Sequence, residues 1–427
     1  MASKNSTGSK RIVFATVGSL GDLHPCIALG LELGRRGHKI AIASTEYYRG
    51  KVESLGIEFR AIRPTWDPTD GEMIRQCEDL KRGPEILFRR FLLPYLADTY
   101  QDLLQAAEGA DLMVAGELNF AAPLVAEKLG LKWASAILSP ASFLSAHDPS
   151  ITVNVPWLID VRKAGWRAYR AVMNLGRLGT RHWWNPVREL RRKEGLSRSC
   201  DPLFRDKFSP ELVLALFSRL LAGKQPDWPE QTLQPGFVFF DRHGSSEMDA
   251  QLEAFLAGPE PPIVFTQGST AVHAPGNFYQ VSAEAAEKLR RRALLLGTED
   301  ATGGGSSRVF ARAYAAYSEV FPRAAVNVHQ GGSGTIGQAV RAGRPQLIVP
   351  FGWDQPDNAA RVERLGAGIH LPRNEYSVST ATAALERLLG DKQFEECAAR
   401  VGVEVREESG LNRACDAIEG LLRRISG

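Results

Sequence analysis

The sequence predicts an α/β fold in two halves, each built on a parallel sheet. The apolar run IVFATV at residues 12–17 leads into a glycine-containing turn, an amphipathic segment and a second apolar run, KIAIAS. Residues 325–358 repeat this order of strand, turn, helix, strand and loop. Alternation of this kind is typical of βαβ units, whose strands lie parallel under covering helices. A chain of 427 residues, 44% of them hydrophobic, is long enough for two such cores.

Composition excludes several classes of protein. A net charge of +3 is too small to indicate nucleic-acid binding. No stretch approaches the roughly 18 to 20 apolar residues of a membrane-spanning helix, and the opening MASKNSTGSKR has no apolar signal region. The five cysteines are scattered without a C-x-x-C pair, which argues against a disulfide framework or a zinc site. We therefore expect a soluble, cytoplasmic protein.

The first half opens as a Rossmann-like domain. After the first strand comes GSLGDLHP, then a helix from about Pro25 to Arg36, and then KIAIAS. Apolar runs at 112–116 and 133–138 extend the parallel sheet. The dinucleotide fingerprint G-x-G-x-x-G is missing from the turn, so a nicotinamide cofactor is not expected.

Asp22 is the candidate for chemistry in this half. It lies in the turn between the first strand and its helix, where a carboxylate can project into a cleft. The alternative is that Asp22 only caps that helix, as aspartate often does. His24 follows two residues later and is expected in the wall of the same cleft.

Residues 143–194 differ from the rest of this half because tryptophans and arginines dominate them and acids are few. Such a segment either forms a helical excursion that walls a substrate pocket or lies on an anionic membrane surface. We favour the pocket wall. A peripheral contact with the inner membrane face through 157–193 is compatible with it if the substrate is a lipid.

The connection between the halves is the Pro- and Gly-rich stretch 224–246, with a boundary predicted near Asp241. The second half begins with a helix near 249–257 and the buried strand of PPIVFTQGST. Its ending places Ser269 and Thr270 where hydroxyl and N–H groups can bind phosphate. The later ATGGGSS lacks the order of a P-loop and is interpreted as a flexible surface loop.

The most informative segment is HQGGSGTIGQAVRAGRPQLIVPFGWDQPDN, residues 329–358. Four small residues follow His329 and open a helix, so backbone N–H groups and the positive end of the helix dipole converge on one point; these are Gly331, Gly332, Ser333 and Gly334. An anion, most plausibly a diphosphate, would bind there. The next loop brings Asp354 and Gln355 to the same edge of the sheet.

This segment resembles the donor-sugar signature of the UDP-glycosyltransferase superfamily, which has the two-domain GT-B fold. His-x-Gly-Gly, Gly-x-Pro and Asp-Gln elements recur in the family order. Within the superfamily the chain is most similar to bacterial rhamnosyltransferase B-subunit (rhamnolipid-type) enzymes, with support from GSLGDLHP, SPASFLSAHDP and VFTQGST. The resemblance covers most of the chain and thins at residues 60–110 and 155–225.

The resemblance implies a role for each matched residue. It implies that Asp22 is the catalytic base, with His24 beside it. The implied donor-binding residues are Ser269, Thr270, Tyr314, His329, Gly331, Gly332, Ser333, Gly334, Asp354, Gln355 and Asn358. The implied acceptor-binding residues are Leu20, Phe143 and Trp183.

One family element is incomplete. Tyr314 occupies the place of an aromatic residue that stacks on the nucleotide base, but Ala316 replaces the family's proline. Tyr317 is the other candidate for stacking. Asn358 is expected to support either its own loop or the phosphates.

The resemblance also implies a domain plan. An acceptor-binding domain would span 1–241, a nucleotide-sugar-binding domain 242–405, and a final helix at 406–427 would cross back to the first domain. Together these features predict an inverting hexosyltransferase that moves sugar from a UDP-glucose or dTDP-rhamnose type donor to a hydrophobic hydroxylated acceptor. No D-x-D motif occurs, so no metal or other cofactor is expected. The alternatives are a non-catalytic sugar-nucleotide-binding partner subunit and a sugar-nucleotide epimerase of the same fold.

Overall fold

A computed structural model describes residues 8–79, 81–151, 155, 157–241, 250–299 and 308–426. Its first sheet has seven parallel strands. They are β1 (Arg11–Ala15), β2 (Lys39–Ser44), β3 (Glu58–Ala61), β4 (Leu112–Gly116), β5 (Trp133–Ile137), β6 (Val213–Ala215) and β7 (Thr232–Leu233). The spatial order is β3-β2-β1-β4-β5-β6-β7, with strands that are almost wholly buried at the centre of the sheet.

The second sheet has six parallel strands. They are β8 (Ile263–Thr266), β9 (Ala293–Leu296), β10 (Val309–Arg312), β11 (Val326–His329), β12 (Gln346–Ile348) and β13 (Gly368–His370). The spatial order is β10-β9-β8-β11-β12-β13, so β8 and β11 are neighbours at its centre. The two parallel sheets confirm the predicted α/β class.

Helices cover both sheets. In the first half they are α1 (Leu20–Arg35), α2 (Arg49–Glu53), α3 (Gly71–Cys77), α4 (Gly83–Ile86), α5 (Leu96–Ala106), α6 (Ala122–Leu129), α7 (Leu158–Val161), α8 (Trp166–Gly179) and α9 (Asn185–Glu194). In the second half they are α10 (Ala250–Leu256), α11 (Phe278–Lys288), α12 (Tyr317–Val320), α13 (Ser333–Ala342), α14 (Gln355–Arg364), α15 (Val378–Gly390), α16 (Lys392–Glu407) and α17 (Gly410–Ser426).

Helix α1 begins earlier than the predicted start at Pro25. Ser19 caps it, and the side chain of Asp22 accepts from the Ser19 backbone in return, which forms a capping box. Pro25 falls in the second turn without ending the helix. The start at Leu20 places Asp22 inside the first turn of the helix rather than ahead of it.

The last helix packs against the first half. On α17, Ala414, Ile418 and Leu421 are buried in a core cluster that includes Leu29 of α1. Arg36 at the end of α1 also forms ion pairs with Asp416 at 2.6 Å and Glu419 at 3.0 Å. The helix starts at Gly410, a few residues after the predicted 406, because α16 continues to Glu407.

The chain passes from the first sheet to the second between Leu233 and Ile263. The boundary predicted near Asp241 lies in this interval and stays a prediction. Residues 242–249 and the predicted loop 301–307 fall outside the described residues. Among those that are described, no helix is long and apolar enough to cross a bilayer.

Candidate active site

The strands of both sheets end at a shared cavity of about 730 Å³. Residues that directly follow strand ends line it, among them Glu117 after β4, Gln330 after β11 and the turns that follow β1 and β8. Open α/β sheets hold ligands at this edge. Predicted candidates from both halves, among them Asp22 and Ser333, therefore meet in one place.

Asp22 takes part in the capping box of α1 and also lines the cavity, so it is not confined to a cap; its catalytic role stays a prediction. The Ser19 backbone N–H and the Ser19 hydroxyl donate to Asp22 Oδ2 at 2.8 and 3.2 Å. These bonds use one carboxylate oxygen, and no described residue donates a hydrogen bond to Oδ1. Capping thus fixes the orientation of the side chain and leaves one oxygen for a ligand.

The electrostatic setting of Asp22 differs from that of a surface carboxylate. Burial raises the pKa of Asp22 to about 7, the Ser19 hydrogen bonds lower it, and the negative charges of Glu117 and Asp354 raise it further. A carboxylate with a pKa near neutrality is well matched to general-base work at physiological pH. The geometry and the pKa of Asp22 both fit the predicted role.

Glu117 was missed by the sequence prediction. It accepts from Ser142 Oγ at 2.6 Å and from Lys207 Nζ at 3.3 Å, and it lines the cavity. Its charge raises the pKa of both Asp22 and Asp354. Its position in the sequence could have revealed it, because Glu117 directly follows the apolar run 112–116, which forms the strand next to β1.

The glycine turn before α13 opens onto the cavity. Gly332, Ser333 and Gly334 line it, and the first turn of any helix leaves N–H groups without intrahelical acceptors. A Cβ added at Gly334 would lie 3.8 Å from Gly21 Cα in α1. The amino ends of α1 and α13 therefore adjoin at the edge of the cavity, and both direct positive helix-dipole ends into it.

The structure corrects two donor-binding predictions in this turn. His329 is fully buried and does not line the cavity. Its Nδ1 accepts from the Gly331 N–H at 3.1 Å, and its Nε2 lies 3.1 Å from Gln346 Oε1. Burial lowers the pKa of His329 to about 4, against the opposing hydrogen bond of Gln346, so the ring is neutral. The hydrogen bond between His329 and Gly331 stabilises the turn, and neither residue lines the cavity.

The loop after β12 is cross-linked to this turn. Asp354 Oδ2 accepts from Ser333 Oγ at 2.5 Å and from Asn358 Nδ2 at 2.8 Å, and Asn358 Nδ2 also donates to the Gly331 carbonyl at 3.0 Å. Burial raises the pKa of Asp354. Asn358 does not line the cavity, so of its two predicted roles the structure shows support of the loop.

Gln355 lines the cavity beside Asp354. Its Oε1 accepts from the backbone N–H groups of Phe351 at 2.7 Å and Gly352 at 3.2 Å. The adjacent Trp353 has φ +59, a left-handed conformation that is uncommon outside glycine, and it also lines the cavity. A non-glycine residue held in this conformation at a cavity marks a loop whose shape is specified by its surroundings.

The turn after β8 contains the two hydroxyl residues that are predicted to contact phosphate. Ser269 and Thr270 line the cavity. Gln330, which the sequence prediction missed, lies against this turn and donates from Nε2 to Thr335 Oγ1 at 3.3 Å. Because β8 and β11 are adjacent parallel strands, these two turns face the same ligand space.

The structure separates the two tyrosines proposed for base stacking. Tyr314 lines the cavity and is 58% exposed. Tyr317 stacks on Phe321 with ring centroids 4.4 Å apart, and its hydroxyl lies 2.9 Å from Thr266 Oγ1. Tyr317 also lines the cavity, but its ring is partly buried in this stack, which favours Tyr314 as the base-stacking residue.

Leu20 and His24 line the cavity, and their roles toward the acceptor and Asp22 stay predictions. The prediction was wrong for Phe143, which stacks on Trp228 with centroids 3.9 Å apart inside the core. It was also wrong for Trp183, which lies behind the cavity wall with its ring centroid 6.4 Å from that of Phe88. The apolar wall is formed instead by Trp66, Met73, Ile74, Leu87, Phe88 and Phe120.

The segment predicted as the pocket wall, residues 143–194, lines the cavity near its start through Leu144 and Ile151, whereas none of the described residues of 157–193 lines it. On α8, Leu175 and Leu178 are 66% and 64% exposed among arginines. The described residues also contain no group of three or more His, Cys, Asp or Glu side chains arranged to hold a metal ion.

Comparisons with known proteins match both halves. Residues 12–142 match the glycosyltransferase family 28 N-terminal domain, and residues 309–410 match the C-terminal domain of erythromycin biosynthesis protein CIII-like proteins. The O-mycaminosyltylonolide 6-deoxyallosyltransferase of Streptomyces fradiae is 34% identical over 432 residues, which cover 96% of this chain and 97% of that protein.

Solved structures share the fold. The glycotransferase of kitacinnamycin aligns with a TM-score of 0.72 at 21% identity, over 97% of this chain and 100% of that chain. The calicheamicin glycosyltransferase aligns with a TM-score of 0.71 at 20% identity, over 98% of this chain and 100% of that chain. Both alignments extend across the two sheets.

Proposed function

Because the chain belongs to the natural-product glycosyltransferases with a family 28 N-terminal domain and an EryCIII-like C-terminal domain, we propose an inverting hexose transfer. The donor is a nucleotide-diphosphate sugar of the UDP-glucose or dTDP-rhamnose type, and the acceptor is a hydroxyl of a hydrophobic small molecule. The observation that carries the proposal is that Asp22, in the first turn of α1, and the glycine turn of α13 line the same cavity.

In the proposed reaction Asp22 Oδ1 accepts the proton of the acceptor hydroxyl while that oxygen attacks the anomeric carbon. The bond from the anomeric carbon to the diphosphate oxygen breaks, and its electron pair leaves with the diphosphate. The N–H groups of the first turn of α13 and the hydroxyls of Ser269 and Thr270 stabilise the charge that develops there. These groups supply the positive potential, so the proposed reaction requires no metal or other cofactor.

We propose that Asp354 and Gln355 bind hydroxyls of the donor sugar. Ser333 and Asn358 both bond to Asp354 Oδ2, which orients the carboxylate before the sugar arrives. A buried carboxylate discriminates between epimers because the wrong epimer leaves it without a hydrogen-bond donor. The closer similarity to rhamnolipid-type rhamnosyltransferases stays a prediction, since an Asp-Gln pair suits glucose and rhamnose alike.

The proposed function is tested by nucleotide release from purified protein. UDP-glucose and dTDP-rhamnose are supplied in turn with a panel of hydroxylated lipids, sterols and macrolide aglycones in the presence of EDTA. We expect release of UDP or dTDP that depends on an acceptor. Nucleotide binding without release for any acceptor would instead favour the non-catalytic partner subunit, and interconversion of donor epimers without an acceptor would favour an epimerase.

The exposed face of α8 supports the prediction of a peripheral membrane contact through 157–193, which rests on Leu175 and Leu178 among arginines. Sedimentation with anionic and neutral vesicles tests it. Preferential binding to anionic vesicles that is lost when both leucines are replaced by glutamine would support the contact, and equal recovery in the supernatant would exclude it.

Replacing Tyr314 with alanine is expected to raise the dissociation constant for UDP or dTDP by roughly tenfold, because the base loses a stacking partner. The Tyr314→Phe variant keeps the ring and should bind within about twofold of the wild type. Titration calorimetry with the nucleotide measures both values. Equal affinity of the alanine variant and the wild type would place the base elsewhere.

The pH dependence of kcat/KM follows from the pKa of Asp22, which burial raises to about 7. A general base acts only when it is deprotonated, so kcat/KM should rise with pH and level off above about pH 7. Initial rates at constant ionic strength between pH 5 and 9 measure the profile. A rate that is flat through neutrality would mean that Asp22 does not titrate in the free enzyme.

A further inference from the structure

Glu78 is a second acidic residue in the cavity wall. It directly follows α3, lines the cavity and is only 7% exposed. Its surroundings are apolar, with Ile74 and Leu87 both buried in the same wall. Neither the signature segments nor the proposed transfer chemistry uses this residue.

No described residue donates a hydrogen bond to the Glu78 carboxylate or forms an ion pair with it. The positive group that acts on it is Arg373 of the second half, whose guanidinium is held 4.0 Å above the ring of Phe351. Burial raises the pKa of Glu78 to about 7, and Arg373 lowers it only in part. Buried carboxylates are normally paired, so this one requires a specific explanation.

We infer that Glu78 forms a subsite for a protonated amine carried by one of the two substrates. An ammonium group brings a positive charge and several N–H donors to a carboxylate that accepts a hydrogen bond from no described residue. A neutral hydroxyl would supply a hydrogen bond but no positive charge. The inference rests on the proposed function, because it specifies the class of substrate that the same cavity accepts.

Either substrate can bring the amine to this position. The wall around Glu78 belongs to the apolar acceptor side, through Ile74 and Leu87. The backbone of Glu78 also borders the donor loop, since a Cβ added at Gly352 would lie 3.7 Å from Glu78 Cα. Gly352 lies two residues before Asp354, which we assign to the donor sugar. The shared chemistry is therefore an aliphatic ammonium group on the acceptor or on the donor hexose.

The test compares matched substrates in the wild type and in the Glu78→Gln variant, which keeps the size of the side chain. One arm uses an acceptor with and without an amino group, and the other uses a donor sugar with and without an amino group. In one arm, we expect Glu78→Gln to raise the KM of the amine-bearing substrate at least tenfold. The KM of the matched neutral substrate should stay within twofold of the wild-type value. The arm that responds identifies the source of the amine.

Two further variants complete the test. Glu72→Gln removes an exposed carboxylate from the same helix, outside the cavity, and should change no KM. Glu78→Gln and Arg373→Gln could each raise the KM of amine-bearing and neutral substrates equally. That result would mean that Glu78 interacts with Arg373 and not with a substrate amine, and it would overturn the inference. Absence of turnover in the wild type with every pair would instead contradict the proposed function.

A measurement on the wild type alone guards against a variant that fails to fold. Octylamine and octanol are compared as inhibitors of transfer to a neutral acceptor at pH 7.5. Inhibition by octylamine at a concentration at least tenfold lower than that of octanol supports the subsite. Equal inhibition by the two compounds would count against it.

Discussion

Replacing Asp22 with asparagine is expected to lower kcat by about 10²- to 10⁴-fold while leaving nucleotide affinity unchanged, because the variant loses the general base and keeps the donor site. Asparagine retains an oxygen that can accept from the Ser19 backbone, now at 2.8 Å from Asp22 Oδ2, so the cap on α1 should persist. Single-turnover rates and nucleotide titrations measure the two quantities separately.

The matched control for this variant is Asp70→Asn. Asp70 caps α3 by accepting from the backbone N–H groups of Glu72 and Met73, but it does not line the cavity. It should keep kcat within about twofold of the wild type, since capping alone has no catalytic effect. If Asp22→Asn behaves like Asp70→Asn, Asp22 is only a cap and the base is another residue.

Replacing Gly331 with alanine is expected to weaken nucleotide binding by roughly ten- to a hundredfold. Gly331 has φ +90, and an added Cβ would lie 2.8 Å from Ile348 Cγ2 and 3.2 Å from the Gln355 carbonyl oxygen. The backbone has to shift, and the N–H groups of the following helix turn shift with it. The dissociation constant of UDP or dTDP, measured by calorimetry, reports the displacement.

Gly343→Ala controls for backbone strain. Gly343 ends the same helix with φ +69, and an added Cβ would meet nothing closer than 3.5 Å. The variant should lower the free energy of unfolding by about 1 to 2 kcal/mol without changing nucleotide affinity, because only the left-handed backbone is penalised. Equal losses of affinity in the two variants would mean that Gly331 acts through stability and not through the turn.

The sequence predicted the features that are local in the chain. The glycine turn, the neighbouring Asp354–Gln355 loop and the capping turn at Asp22 are each specified within a few residues, by small residues and strand ends. Parallel packing then places these ends on one edge of each sheet. The fold class followed from the same alternation of strands and helices.

What the sequence did not predict depends on contacts between distant segments. The apolar wall is formed by residues such as Trp66 and Phe88, in the part of the chain where the family resemblance thins. Phe143 and Trp183 are aromatic, as acceptor-binding residues often are, but neither lines the cavity. Phe143 packs on Trp228, and Trp183 packs near Phe88. The role of His329 also depends on a distant partner, because Gln346 occupies the second ring nitrogen.

The central claim is a single displacement in which Asp22 activates the acceptor opposite the glycine turn. It is tested most directly by the anomeric configuration of the product, determined by NMR from a donor of known configuration. A single displacement predicts a glycosidic bond of configuration opposite to that of the donor. A product that retains the configuration of the donor would require a different mechanism and would contradict the proposed role of Asp22.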